Sequence, residues 1–310
     1  MIRIIFIFML LSLSNWAQEN TTAFLPDLFK GYPNVRDIAI SPDGQEVYFT
    51  VDDLYSQVAV IAYIKKIETG WEQPQSVSFT GNYRDIEPAF SRNGQQLYFV
   101  SNRPLDSNST APKDYDIWYV NKTTSGWSEP INLGAPINTT ANEYYPSITE
   151  KGDIYFTVEN DQAVGKEDIF VSRLIKGVHQ KPVCIKGDVN TEHYEFNAFV
   201  APDESFLIFT SQRPKEGQGG GDLYISYKSG DVWGKAELLP QVNSPFLDFC
   251  PFVDFDSNTF YFTSRRSAIK KHYQESLNLD LFLGMYNSGK PKGLNRIYSI
   301  DLSEIISKKD

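Results

Sequence analysis

The sequence predicts an all-β protein, a single β-propeller of five four-stranded blades, with a six-bladed ring as the alternative. Three observations lead there. Five segments repeat one pattern of apolar strand, polar turn and aromatic strand. The aromatic of the second strand falls at Phe49, Phe99, Phe156, Phe209 and Phe262, with spacings of 50, 57, 53 and 53 residues, the period of one propeller blade. Asp43-Gly44 and Asn93-Gly94 stand between paired strands, where a tight hairpin needs positive φ. Finally, 18 Tyr and 21 Phe stand beside only 3 Met and 3 His, a balance that suits strands.

Residues 1–17 are expected to be a signal peptide. Met1-Ile2-Arg3 is a cationic start, Ile4 to Leu13 an apolar run, and Ala17 a small residue at the cut. The run is about half the ~20 residues a membrane span needs. Cleavage near Ala17 takes the charge from −10 to −11 by removing Arg3, and the mature chain is expected to be periplasmic or secreted, with no transmembrane segment. Residues 18–34 are an N-terminal segment, 35–305 the propeller and 306–310 a tail.

Within the propeller the first two strands of each unit lie at 37–50, 87–100, 145–157, 196–210 and 250–263. A third strand opens with an acid and an apolar or aromatic pair, at Asp116-Ile-Trp, Asp168-Ile-Phe, Asp222-Leu-Tyr and Asp280-Leu-Phe. The first unit has Gln57-Val-Ala-Val-Ile-Ala-Tyr63 in that place. Hairpins at Gly70-Trp71, Gly126-Trp127 and Gly230 to Trp233 lead to short fourth strands such as Pro130 to Leu133. No helical periodicity is read anywhere. Residues 24–34 and 290–305 are too short for a sixth blade but suit strands that close the ring.

With 41% hydrophobic and 22% charged residues the chain is apolar enough for a core, which excludes a disordered protein. The acidic balance argues against nucleic acid, because phosphate contacts need a positive surface.

The repeat is similar to the WD40-like unit of TolB-type propellers, and closer still to the variant in envelope proteins of Bacteroidetes-type bacteria. That variant runs Phe-x-Ser-x-Arg-Pro, a Gly-rich stretch, then Asp-Leu-Tyr. Here it reads Phe99-Val-Ser-Asn-Arg103-Pro104, and Phe209-Thr-Ser-Gln-Arg213-Pro214 with Gly217 to Gly221 before Asp222-Leu-Tyr224. A third copy reads Phe262-Thr-Ser-Arg-Arg266-Ser267. The resemblance covers about residues 35–290 and implies a periplasmic or outer-membrane interaction module. Relatives often carry a fused peptidoglycan-binding or hydrolase domain, whereas this propeller is expected to stand alone. Fold does not fix activity.

The loops leading into the innermost strands gather at one mouth of the channel, the usual ligand position on such a ring. Aligned on the following strand, Asp85, Glu143 and Asp248 are equivalent, with Tyr194 in the fourth copy. Together with Asp37 and Glu195 they are read as channel-rim carboxylates. A residue repeated blade after blade is expected to be structural, since catalysis needs an asymmetric set. The residues that break the symmetry, Arg36, Tyr83, Arg84, Tyr144, Tyr145, His193 and Tyr194, are the expected partner- or ligand-binding residues, because aromatic and Arg side chains dominate recognition surfaces.

Arg103, Arg213 and Arg266 are expected to pair with Asp116, Asp222 and Asp280 inside their blades. Gly217–Gly221 has neither the helix nor the Lys-Ser/Thr of a phosphate loop and reads as a connection between strands. His179, His193 and His272 lie in different repeats, so no metal site is expected, nor a cofactor. Cys184 and Cys250 lie a blade apart, too far for a disulfide. The function expected is a non-enzymatic scaffold binding an envelope protein or a glycan. The alternative is a carbohydrate-active enzyme, hydrolase or lyase, with two rim carboxylates as acid and base.

Overall fold

The computed structural model describes residues 20–306, apart from 107, 215–216 and 271. The expected signal peptide and the last four tail residues lie outside the described residues.

Five antiparallel sheets radiate around one axis, and each runs from an innermost to an outermost strand. Blade I comprises Asn34–Ile40, Glu46–Asp52, Ala59–Ile67 and Gln75–Ser76. Blade II comprises Asp85–Phe90, Gln96–Ser101, Asp116–Thr123 and Ile131–Asn132, and blade III Glu143–Ile148, Ile154–Val158, Asp168–Ser172 and Val183–Cys184. Blade IV comprises Glu195–Val200, Phe206–Ser211, Asp222–Ser229 and Glu237–Leu238.

Blade V corrects the sequence reading. Its first strands are Asp248–Asp254 and Thr259–Ser264, but the third is Arg296–Asp301. Asp280-Leu-Phe, expected to open that strand, instead starts the helix Leu279–Asn287, which Asn278 caps by accepting from the Leu281 N–H at 2.8 Å. The fourth strand comes from the other end of the chain: Thr22–Ala23 pairs with Tyr298–Ser299, and the Phe24 N–H donates to the Ile297 carbonyl at 2.9 Å. The two terminal stretches thus close the ring as strands three and four of blade V.

Each sheet is apolar on both faces, so the core is divided among the gaps between blades. Five buried clusters fill them, centred on Phe49 and Ile297 (V–I), Phe99 and Trp118 (I–II), Phe156 and Ile117 (II–III), Phe209 and Tyr224 (III–IV), and Phe262 and Ile208 (IV–V). The repeated aromatics Phe49, Phe99, Phe156, Phe209 and Phe262 are all 0–1% exposed, which explains why the period was so regular.

Every innermost strand carries a bulge. The register slips between Arg36 and Ala39, Ile86 and Ala89, Tyr144 and Ser147, Phe196 and Phe199, and Phe249 and Phe252. Within each slip one residue is left-handed: Asp37, Glu87, Tyr145, Asn197 and Cys250, with φ of 50–59°. Such a conformation costs a non-glycine residue about 1–3 kcal/mol. Five repetitions at one position mark a device of the fold, which re-aims a side chain toward the axis.

Candidate functional site in the central channel

The bulges bring Asp37, Glu87, Asn197 and Cys250 together with Arg36, all at most 9% exposed. The Arg36 guanidinium is the hub. Its Nε donates to Asp37 Oδ1 at 2.6 Å, and Nη2 donates to Glu87 Oε1 at 2.9 Å and faces Cys250 Sγ at 3.7 Å. The Cys250 thiol donates to Asp37 Oδ1 at 2.8 Å, and the Asn197 amide to Glu87 Oε1 at 3.3 Å. Tyr145 closes the ring, its hydroxyl donating to the Pro251 carbonyl at 2.9 Å. Burial pushes the Glu87 carboxyl up, with the neighbouring Asp37 carboxylate adding to this and Arg36 opposing it. Burial also holds the Cys250 thiol well above its usual range.

The backbone at these bulges is satisfied by the neighbouring blade. The N–H groups of Asp37, Glu87 and Asn197 donate to the hydroxyls of Thr263, Thr50 and Thr157 at 3.1–3.2 Å. In blade II that threonine is replaced by Val100, and there Glu87 Oε2 accepts the Tyr145 N–H at 2.7 Å. Glu87 therefore serves two roles, as a counter-ion and as a substitute for a missing hydroxyl.

Asp37, Glu87 and Cys250 each bring a ligand atom within 4.8 Å of the others. That spacing suits a metal, but the Arg36 guanidinium already contacts all three and supplies the positive charge a cation would bring.

The expected channel-rim carboxylates are buried. Asp85, Glu143, Glu195 and Asp248 are 0% exposed, and Asp37 1%. Glu195, rather than Tyr194, is the fourth-copy equivalent: it pairs with Ser211 as Asp85 pairs with Ser101. Each aligned acid fastens the loop that precedes it. Asp85 accepts from the Thr80 hydroxyl at 2.9 Å, Glu143 from Thr139 at 2.6 Å, Glu195 from Thr191 at 2.7 Å and Asp248 from Ser244 at 2.7 Å.

Three of these acids also receive the arginines expected to pair with the third strand. Arg103 reaches Asp85 at 2.7 Å, Arg213 reaches Glu195 at 3.6 Å and Arg266 reaches Asp248 at 3.7 Å. The pairing is to the innermost strand because Ser-x-Arg turns the arginine inward across its own blade. Asp116 is instead bound by Lys113 at 2.6 Å, Asp222 accepts the Gln218 and Gly219 N–H groups, and Asp280 is exposed on the helix.

The expected binding residues divide between two levels. Arg36 and Tyr145 lie inside the channel, whereas Tyr83, Arg84, Tyr144, His193 and Tyr194 are half-buried around the mouth formed by the loops that lead into the innermost strands. Arg84 donates to Asp52 at 2.7 Å and to the Tyr115 hydroxyl at 3.2 Å, and the Tyr115 and Tyr144 rings lie 5.2 Å apart. Lys166 sits 5.1 Å over the Tyr194 ring.

At the opposite, hairpin mouth a cavity of about 140 Å³ opens between Ile38, Phe90, Ile148, Phe199 and Phe252, and Glu87 and Tyr145 reach it from the channel. The sequence singled out Arg36, Asp37 and Tyr145 but not Glu87, Asn197, Cys250 or this cavity. Both cysteines are free, Cys250 buried and Cys184 half-buried.

Fold and site together define a five-bladed propeller whose channel is plugged at mid-height by an arginine-centred polar cluster. Solved structures to which the chain is similar include a candidate TolB from Agrobacterium tumefaciens, 15% identical over 80% of this chain and 78% of that one, with a TM-score of 0.48. TolB from Acinetobacter baumannii is 10% identical over 86% of this chain, with a TM-score of 0.46, and this chain spans 54% of its length. An alpha-L-arabinofuranosidase from Lactobacillus brevis is 12% identical over 86% of this chain and 92% of that one, with a TM-score of 0.48. These likenesses carry no functional inference. No protein-family model and no curated protein matches the chain.

Proposed function

We propose that this protein is an exported, non-enzymatic β-propeller that binds a protein or glycan of the bacterial envelope at its loop mouth. One observation carries the reading: the aligned acids that acid–base chemistry would need are buried and fastened to their own blades. Asp37 and Glu87 are bound beneath them by Arg36. The groups partly exposed at the mouth are Tyr83, Tyr144, His193 and Tyr194, with Arg84 held beside them by Asp52 and Tyr115, the residue types that dominate recognition surfaces. Export rests on Arg3, the apolar run 4–13 and Ala17. Kinship with the Bacteroidetes-type envelope repeat rests on the Phe-x-Ser-x-Arg copies.

A second reading, a carbohydrate-active enzyme, is favoured by one feature. Glu87 has a raised pKa, lies close to a second carboxylate and reaches the hairpin cavity, as an acid in a two-carboxylate site would.

The test is an affinity capture from envelope extract with protein starting at Gln18, beside a variant with Tyr83, Arg84, Tyr144 and His193 changed to Ala. An envelope protein or intact glycan held by wild type and lost in the variant is the expected result. Glycans shortened during incubation by wild type, but not by Glu87→Gln, would move the assignment to the enzyme. Equal capture by both proteins would overturn the loop mouth as the binding face.

A further inference from the structure

Residues 265–295 leave the ring between the second and third strands of blade V. The neck is held by a bridge between Ser267 and Lys292 and by the Ala268 N–H donating to the Pro291 carbonyl at 2.8 Å. Beyond it the helix Leu279–Asn287 buries none of its residues. Leu279 is 70% exposed and Leu281 57%, and Phe282, Leu283 and Tyr286 are exposed beside them. At about 100° per residue, the apolar side chains of Leu279, Leu281, Phe282, Leu283, Met285 and Tyr286 cover an arc of roughly 200°. Asp280, Gly284 and Asn287 take the remainder. A soluble surface seldom leaves so much apolar area together unless it serves an interaction.

The surroundings indicate what covers it. Antiparallel strands place every loop between second and third strands on the loop-mouth face. Those of blades I, II and III also end in exposed apolar residues: Leu54 and Tyr55, Leu105, and Val164. The arm carries Lys270, Lys290 and Lys292 against Glu275 and Asp280, in a chain whose net charge is −10. A helix that fills a protein groove presents a narrow stripe, whereas this one is apolar over more than half its circumference. Nine residues span about 14 Å, far short of a bilayer, and no helix among the described residues is long and apolar enough to cross one.

We propose that this arm is a membrane-surface anchor. Its helix lies in the interface of an anionic bilayer, with the apolar arc among the acyl chains and the lysines on the headgroups. This goes beyond the partner-binding reading and rests on it only for which leaflet is met.

The test is co-sedimentation of the full chain from Gln18 with phosphatidylcholine vesicles, with and without about one-third phosphatidylglycerol. Wild type is expected to pellet with the anionic vesicles and to be released by salt. Leu281→Glu/Phe282→Glu should bind roughly tenfold more weakly, and Lys290→Glu/Lys292→Glu about as much more weakly at low salt. Thermal unfolding of both should match wild type, since the helix buries nothing. Wild type remaining in the supernatant, or the Leu281/Phe282 variant binding as wild type does, overturns the proposal. So does a dimer in solution that the same variant dissolves, which would assign the helix to a second copy. The Tyr83/Arg84/Tyr144/His193 variant should still bind vesicles. Binding lost there and kept in the arm variants would place the lipid contact at the mouth and reject the arm.

Discussion

At the residue scale the decisive group is Arg36. Two carboxylates and a thiol lie buried around one guanidinium, so removing it leaves Asp37 and Glu87 without the counter-charge that contacts them. Arg36→Ala is expected to cost about 3–5 kcal/mol of stability, the usual penalty for breaking a buried pair from one side. Adding Asp37→Asn and Glu87→Gln should recover much of it, as measured by denaturant unfolding. Full loss in the triple variant would show that packing, not charge, holds the channel. The cluster was hard to find in the sequence because one repeat position is filled by Asp37, Glu87, Tyr145, Asn197 and Cys250, five residue types that form no motif. The available signals were indirect: a proline after three of them, at Pro88, Pro146 and Pro251, and the threonine that follows Phe49, Phe156, Phe209 and Phe262.

At the element scale, the innermost strands are joined by hydroxyl-to-bulge hydrogen bonds and fastened to their loops by buried acids. Thr50 accepts the Glu87 N–H, while the Thr210 hydroxyl is buried with no hydrogen-bond partner among the described residues. Thr50→Val should therefore cost about 1–3 kcal/mol by orphaning a buried donor, whereas Thr210→Val should be neutral or stabilising. Equal effects would refute the bulge bonds as stabilising elements. The acids add a pH dependence. Burial raises Glu143 to about 7, against the Thr139 hydrogen bonds, and Asp248 to about 6, against Arg266. A carboxyl whose pKa is higher folded than unfolded binds more protons in the native state, so its folding penalty is absent below the unfolded value and grows as pH rises through the folded one. Stability should thus be greater at pH 5.5 than at pH 7.5, and Glu143→Gln should reduce the difference by about 2 kcal/mol. A pH slope unchanged by the substitution would reject Glu143 as its source. Most of these strands were legible because burial on both faces enforces the aromatic period. Blade V was not, because the arm displaces its third strand and places a look-alike Asp-Leu-Phe on a helix.

At the scale of the whole molecule, the ring is closed by chain ends that are far apart in sequence. Thr22–Ala23 supplies the outermost strand of blade V, and Phe29, 1% exposed, packs in the V–I gap against Phe49, their ring centroids 4.9 Å apart. Arg296 ties the same segment down by donating to the Tyr32 and Pro33 carbonyls at 2.8 and 3.0 Å. A chain beginning at Pro33 loses this apolar wedge and leaves Arg296–Asp301 as an unpaired edge. Full burial of a large apolar side chain contributes about 1.5–3 kcal/mol, so Phe29 with its half-buried neighbours Phe24, Leu28 and Tyr32 amounts to about 5 kcal/mol. For a domain of this size that corresponds to a fall in Tm on the order of 10 °C. The loss should be recovered in trans by a peptide of residues 20–32, because the docking surface on blades V and I is made by the rest of the ring. The Phe29→Ala peptide should fail to restore it. A truncated chain as stable as the whole would mean that the blade contacts alone hold the ring closed. In that case the N-terminal strand covers an edge against pairing with other chains, and the truncation would show itself as aggregation rather than as a lowered Tm.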